Sequence, residues 1–126
     1  MIRRFILSLP VMVFCLQAIF ASPMIPGDSC KVPLDKKLEK KYNDATISFK
    51  HGNYMNTIIL LRDVLKEEPN FTDAAYLTGL ANVKKAVPNY KDAEKYFLQV
   101  LNACPSYDIY LYFYLGQIAY GNEHWE

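Results

Sequence analysis

The sequence has almost no net charge, because 14 lysines and arginines are balanced by 13 aspartates and glutamates over 126 residues. A chain without a basic excess lacks the field that holds nucleic acid by counterion release, so we expect no nucleic-acid binding. Glycine is scarce at five residues, and the sequence has no glycine-rich phosphate loop, no His-Glu-x-x-His and no Cys-x-x-Cys. We therefore expect no enzyme activity, no cofactor, no metal and no small-molecule substrate.

Histidine is even scarcer than glycine. His51 and His124 are the two in the sequence, and both fall in expected turns at nearly equivalent places. A zinc site needs three or four converging ligands, so we interpret both as solvated turn residues. The lysine-rich run at 36–41 is interpreted as an exposed helix face rather than a membrane-binding surface. A metal-binding or catalytic helical domain is the alternative function.

The amino end has the pattern of an export signal. Arg3 and Arg4 precede an apolar stretch from Phe5 to Phe20, and Ala21 is a small residue suited to a cleavage site. Sixteen of the first 21 residues are apolar, and removing them leaves 12 basic against 13 acidic residues. A cleaved signal over 1–21 is favoured over a transmembrane anchor, because the apolar run is shorter than about 20 residues and contains Pro10.

Lipidation is a further alternative for this region, since Cys15 and Cys30 are both near it. Neither cysteine lies in a convincing lipoprotein cleavage sequence. Residues 22–35 contain three prolines and a glycine without helical periodicity, which indicates an extended linker. We expect an exported protein in which folded structure begins near residue 36, with a membrane-anchored structural subunit as the alternative.

The remaining sequence repeats itself with a period of about 35 residues. An aromatic residue follows a polar turn at Tyr54, Tyr90 and Trp125, with spacings of 36 and 35, and Pro69 and Pro105 are 36 apart. The units are 36–70, 71–106 and an incomplete 107–126.

Each complete unit is predicted to contain two helices. Apolar periodicity, prolines and capping residues predict helices over 36–50, 54–67, 72–86, 90–103 and 107–120. Thr72 and Asn89 are the predicted N-caps of the third and fourth helices. Short turns force neighbouring helices to be antiparallel, so the sequence predicts an all-α stack of helical hairpins comprising two units and the first helix of a third.

The repeat resembles the tetratricopeptide repeat family. The resemblance is carried by Gly79, by Leu115-Gly116, by the turn Gly52-Asn53-Tyr54, by Ala93 with Phe97, and by the two prolines. Thr57 stands where the family has a tightly packed alanine, and Lys41 and Ala75 stand where it has a large aromatic residue. The resemblance implies a helical-hairpin solenoid that binds another protein.

In that family the first helices of successive units line a groove for an extended peptide. The positions carried over by the resemblance are Tyr42, Thr46, Phe49, Lys50, Tyr76, Leu80, Val83, Lys84, Phe113, Gln117 and Tyr120. This aromatic and mildly basic set implies a ligand with apolar side chains and a carboxylate, while several of the aromatic rings are also expected to pack between units. The lysine and asparagines of the family's chaperone-tail clamp are absent from the corresponding positions.

A second resemblance concerns the stretch from Cys104-Pro105 to Leu115-Gly116. It is similar to the amino-terminal repeats of large bacterial envelope proteins, in which the repeats precede a β-propeller-like region and an OmpA-like peptidoglycan-binding domain. Some of those proteins serve type IX secretion. This resemblance implies the periplasm or the periplasmic face of the outer membrane, with secretion from the cell as the alternative.

Two cysteines follow the predicted signal, Cys30 and Cys104. Antiparallel helix order brings the start of the first helix and the end of the fourth to the same end of the stack, so a disulfide is compatible with the fold. The other interpretation is a buried Cys104 and a free Cys30.

The third unit lacks a second helix, and the last 20 residues contain seven aromatic side chains. An unpaired helix of this composition would expose an apolar surface. We therefore expect either a continuation of the same polypeptide or a partner that covers it.

Overall fold

The computed structural model describes residues 30–123, and over this range the chain forms five helices and no strand. The helices are α1 (Lys36–Lys50), α2 (Tyr54–Glu67), α3 (Thr72–Lys84), α4 (Tyr90–Ala103) and α5 (Ile109–Glu123). The predicted signal at 1–21 and the first part of the predicted linker lie outside the described residues. The prediction of an all-α fold built from helical hairpins is confirmed.

Contacts between α1 and α2 show that the two helices are antiparallel. The Asn56 side-chain amide donates to Ser48 Oγ at 3.0 Å, near the turn that joins them. At the far end of the hairpin, Lys41 Nζ lies 3.4 Å from Glu67 Oε1. Because residues early in α1 meet residues late in α2, the hairpin predicted from the short turn is present.

The turns use local signals that are legible in the sequence. Gly52 has a positive φ of 76°, which a residue without Cβ adopts without strain, and it reverses the chain after α1. The side chains of Asp35, Asn53 and Asn89 each accept a backbone N–H three residues later, at 2.8, 3.2 and 3.1 Å. These bonds satisfy otherwise unpaired donors at the starts of α1, α2 and α4.

Two apolar clusters form the core. The first lies among α1, α2 and α3 and contains Ala45, Leu61, Val64, Phe71 and Ala74. The second lies among α3, α4 and α5 and contains Ala75, Ala93, Phe97, Val100, Leu111 and Ile118. Because α3 contributes to both clusters, the first and second units form a continuous stack.

The tight approach of paired helices depends on small residues. A Cβ built on Gly79 would lie 2.5 Å from Cε1 of Phe97, so the ring occupies the space that a side chain would need. In the first unit Thr57 takes the place of the expected alanine and is fully buried. Its hydroxyl donates to the carbonyl of Asn53 at 2.9 Å, so the burial leaves no unpaired group.

The boundaries of α3 and α5 differ from the prediction, and α5 ends at Glu123 instead of Tyr120. The predicted N-cap Thr72 is wrong, because α3 already includes that residue and its extended N-cap is Phe71, which is buried in the first cluster. The same helix ends at Lys84 instead of Ala86, since Lys85 is extended with ψ of 161°. The fifth helix starts at Ile109, because residues 104–108 form a turn in which Tyr107 N–H donates to Cys104 O at 3.1 Å.

Candidate functional site

The predicted groove surface is formed by α1, α3 and α5. Its eleven residues recur at equivalent positions of the three first helices, and none of the eleven side chains is fully buried. Three of them line one pocket at the carboxyl ends of the first helices, and Tyr42 lines another pocket at the amino ends. Others pack between units.

One pocket lies at the amino ends of α1 and α3. It has a volume of about 420 Å³ and includes Tyr42, whose ring meets the ring of Phe71 edge-on with centroids 4.8 Å apart. The remaining lining residues are Lys31, Val32, Leu34, Glu39, Asn43, Phe71 and Asp73. Burial, followed by the nearby Asp73 carboxylate, raises the pKa of Tyr42 above its usual value.

Part of this pocket is built by the chain segment that precedes α1. We call residues 30–35 the strap. The strap has no helical structure, and Val32 and Leu34 pack side by side against the first core cluster. Its last residue, Asp35, caps α1, and its first residue, Cys30, is joined to Cys104 by a disulfide with Cα atoms 5.6 Å apart. The strap therefore crosses from α1 to the end of α4.

A small pocket of about 180 Å³ lies beside the disulfide, and Asp73 lines both it and the larger pocket. Asp73 Oδ1 accepts a short hydrogen bond from the hydroxyl of Tyr107. In the opposite direction, Tyr76 of α3 donates to Asp108 Oδ2 at 3.0 Å. The rings of Tyr76 and Tyr107 lie with their centroids 5.1 Å apart, so two tyrosine–aspartate pairs cross between the second and third units.

Both phenols have a pKa above the usual value. Burial raises the pKa of Tyr107 far above its usual value, and the hydrogen bond to Asp73 raises it further. Burial and the bond to Asp108 act in the same way on the pKa of Tyr76. A neutral phenol that donates to a carboxylate makes a strong hydrogen bond, so the two pairs tie the turn before α5 to α3.

A second pocket lies at the carboxyl ends of α3 and α5. Three predicted groove residues, Val83, Gln117 and Tyr120, line it together with Tyr90, Ile118 and Gly121, and its volume is about 290 Å³. Lys84 follows Val83 and is exposed, as is Lys50 at the equivalent position of α1. The predicted groove surface is thus acidic at its amino end, with Glu39 and Asp73, and basic at its carboxyl end.

The other predicted groove residues have structural contacts. Leu80 packs against the second core cluster, and Thr46 donates from its hydroxyl to Tyr42 O at 2.9 Å. Phe49 meets the ring of Tyr54 with centroids 5.3 Å apart, and the mostly exposed Phe113 touches Tyr114. Tyr76, described above, also packs on Phe97 at 5.9 Å, so it joins units rather than lining an open surface.

Sequence reasoning missed Phe71, Asp73, Tyr90 and the strap. Phe71 and Tyr90 lie at helix starts, where periodicity indicates no facing direction. Asp73 stands at the same repeat position as Glu39, which was a recognisable signal for an acidic residue at the amino end of the groove surface.

A larger surface depression lies elsewhere. It has a volume of about 830 Å³ and lies on the outer side of α4, where Lys91, Glu94, Lys95 and Gln99 line it. It contains none of the predicted groove residues, and its lining is exposed and charged, which is ordinary for an outer helix face. We therefore do not assign the candidate site to it.

Metal-ligand geometry is absent from the described residues, where no group of three histidine, cysteine or carboxylate side chains converges. His51 is exposed in the turn after α1, and His124 lies outside the described range. Among helices that the structure describes, none is long and apolar enough to cross a membrane.

The two pockets share a mixed character, in which aromatic and aliphatic side chains lie beside a few polar groups. In pockets of this character the apolar side chains supply the contact area and the few polar groups fix the orientation of a ligand. Comparison with protein-family models, with curated proteins and with solved structures finds no match for this chain.

Proposed function

We propose that this chain is an exported scaffold that binds an extended segment of another protein on the groove surface of α1, α3 and α5. The observation that carries the proposal is the strap. It is an extended piece of chain whose apolar residues, Val32 and Leu34, are held against Tyr42 and Phe71 at one end of this surface. The repeat therefore already holds one extended segment through apolar side chains.

The proposed ligand follows from the chemistry of the other end. The pocket of Val83, Gln117 and Tyr120 suits an apolar or aromatic side chain, with the amide of Gln117 available to a peptide backbone. The exposed Lys50 and Lys84 favour a carboxylate beyond it. An extended peptide with apolar residues and a carboxylate at this end complements both features.

The proposed setting is the bacterial cell envelope. The signal-like amino end and the disulfide between Cys30 and Cys104 support an oxidising compartment outside the cytoplasm. The resemblance to tetratricopeptide repeats of envelope proteins supports the periplasm, and a role in a larger assembly associated with OmpA-like proteins or type IX secretion. Fractionation of the native host and the mass of the mature amino terminus test this; a cytosolic protein that retains residues 1–21 would contradict it.

The binding proposal is tested with a matched pair of charge reversals. Peptides selected from a display library against the oxidised chain are measured by fluorescence anisotropy with Lys84→Glu and Lys95→Glu. Both lysines are exposed, but Lys95 lies on the outer side of α4, and neither it nor its sequence neighbours line the groove pocket. Because Lys84 directly follows Val83 of that pocket, Lys84→Glu is expected to weaken binding of carboxylate-bearing peptides about tenfold while Lys95→Glu leaves it unchanged. Equal effects of the two reversals would contradict the proposal.

A further inference from the structure

In each of the two complete units, the first helix presents one face to the second helix. The face comprises four positions spaced i, i+3, i+7 and i+10. They are Leu38, Lys41, Ala45 and Ser48 in α1, Thr72, Ala75, Gly79 and Asn82 in α3, and Ile109, Tyr112, Gly116 and Ala119 in α5. We call the last set the open face of α5.

Burial separates the open face from its two counterparts. In α1 and α3 seven of the eight residues are buried, and Lys41 is half-buried against α2. In α5 all four are exposed, with 80% of Ile109 and 52% of Tyr112 accessible. The same repeat position is therefore covered by a helix twice and uncovered once.

The two equivalent glycines, Gly79 and Gly116, show the difference between the covered and open faces at the level of single atoms. A Cβ on Gly79 would meet the Phe97 ring at 2.5 Å, whereas a Cβ on Gly116 would meet nothing within 4 Å. A glycine in the middle of a helix costs up to about 1 kcal/mol relative to alanine, so its presence in α3 is explained by the close approach of Phe97. The corresponding approach to Gly116 is not made by any part of the chain that the structure describes.

The second helices that cover α1 and α3 indicate which side chains would fit against the open face of α5. In the first unit α2 buries Thr57, Leu61 and Val64. In the second unit α4 buries Ala93, Phe97 and Val100, and Phe97 is the residue that fills the space at Gly79. Both sets contain a small residue, a large apolar residue four positions after it, and a valine seven positions after the small residue.

Charge and continuity point to the same kind of occupant. No charged residue lies between Asp108 and Glu123, so recognition on α5 depends on apolar shape. The buried side of α5, with Leu111 and Ile118, belongs to the same core cluster as the α3–α4 interface. A helix on the open face would continue the row of second helices formed by α2 and α4.

We propose that the open face of α5 binds one amphipathic helix of a partner protein. The helix lies antiparallel to α5 and presents three residues to it. The first is alanine or threonine, phenylalanine or leucine follows four residues after the first, and valine follows seven residues after the first. This site is distinct from the groove surface, whose residues on α5 are Phe113, Gln117 and Tyr120.

The probe is a labelled synthetic peptide with the sequence of α4 (Tyr90–Ala103), titrated into the oxidised full chain. We expect saturable one-to-one binding accompanied by a gain in helical circular dichroism. The same peptide with Phe97→Ala should not bind, because it lacks the ring that fills the notch at the glycine. In the protein, Gly116→Ala should weaken binding about tenfold or more, because the added Cβ takes that space.

The design separates this site from the alternatives. Gly116→Ala meets nothing in the free chain, so unchanged or increased thermal stability shows that the variant is folded. Binding that is insensitive to Gly116→Ala would mean that the peptide exchanges with α4 itself, and would overturn the proposal. If the chain forms a dimer that Gly116→Ala abolishes, the occupant is a second copy and the proposal is wrong. If binding does not saturate by about 1 mM peptide, the open face is not a binding site and the proposal is also wrong. Lys84→Glu, which tests the groove surface, should leave this binding unchanged.

Discussion

Alanine at the two equivalent glycines provides the sharpest test of the repeat geometry. Gly79 and Gly116 are both interior residues of helices, so alanine removes the same backbone flexibility and stabilises each helix by about 0.5–1 kcal/mol. At Gly79 the added Cβ would lie 2.5, 2.7 and 2.9 Å from three carbons of the fully buried Phe97 ring. Forcing that ring to move costs about 1–3 kcal/mol, because the surrounding core is closely packed.

The two variants should therefore differ in sign. Gly79→Ala is expected to lower the free energy of unfolding by about 1–2 kcal/mol, and Gly116→Ala to leave it unchanged or raise it by up to about 1 kcal/mol. The assay is urea denaturation of the oxidised protein, followed by circular dichroism, with the midpoint compared at constant slope. If Gly79→Ala is as stable as Gly116→Ala, then α4 does not approach α3 as described, and the comparison between the covered and open faces fails.

Three further predictions concern the disulfide, the core and the tyrosine–aspartate pairs. The protein purified without reductant should be two hydrogens lighter than the dithiol, and reducing the bond between Cys30 and Cys104 should cost about 4 kcal/mol, since the two cysteines are 74 residues apart; two cysteines that alkylate without reductant would contradict this. Phe97→Ala should cost about 3–5 kcal/mol in the same urea assay, because the ring is completely buried between α3, α4 and α5. Since burial and then Asp73 raise the pKa of Tyr107 above its unfolded value near 10, its stabilising contribution holds below about pH 10 and is lost as the pH rises further. Tyr107→Phe should flatten that alkaline loss of stability, and an unchanged alkaline limb would show that the pair does not form.

Local signals explain why most helices were predictable from the sequence. Asn53 and Asn89 cap the helices that follow them, and Gly52 reverses the chain, so α2 and α4 begin where the sequence indicated. Thr72 was wrongly predicted as an N-cap because threonine at the start of a helix is a common capping residue. The adjacent Phe71 takes that position since its ring is buried in the core.

The candidate site was less predictable, because its contacts join residues far apart in the chain. The hydroxyl of Tyr76 donates a hydrogen bond to Asp108, which lies 32 residues later in the sequence, and periodicity does not predict that contact. Repeat position placed Tyr76 on the groove surface, but tertiary packing directed its ring between two units. The proline-rich stretch indicated an extended linker, yet Val32 and Leu34 gain enough apolar contact to hold the strap on the helices.

The disulfide also determines how the molecule carries mechanical load. A pull on the residues before Cys30 passes through the sulfur bridge to Cys104, and from there directly into α5. The 74-residue interval that contains α1 to α4 is therefore bypassed by tension and cannot be extended while the bridge is intact. Reduction would release about 250 Å of hidden contour length, at roughly 3.3–3.6 Å per residue. A chain held at its amino end would thus keep its first two units folded under forces that unravel an unbridged repeat.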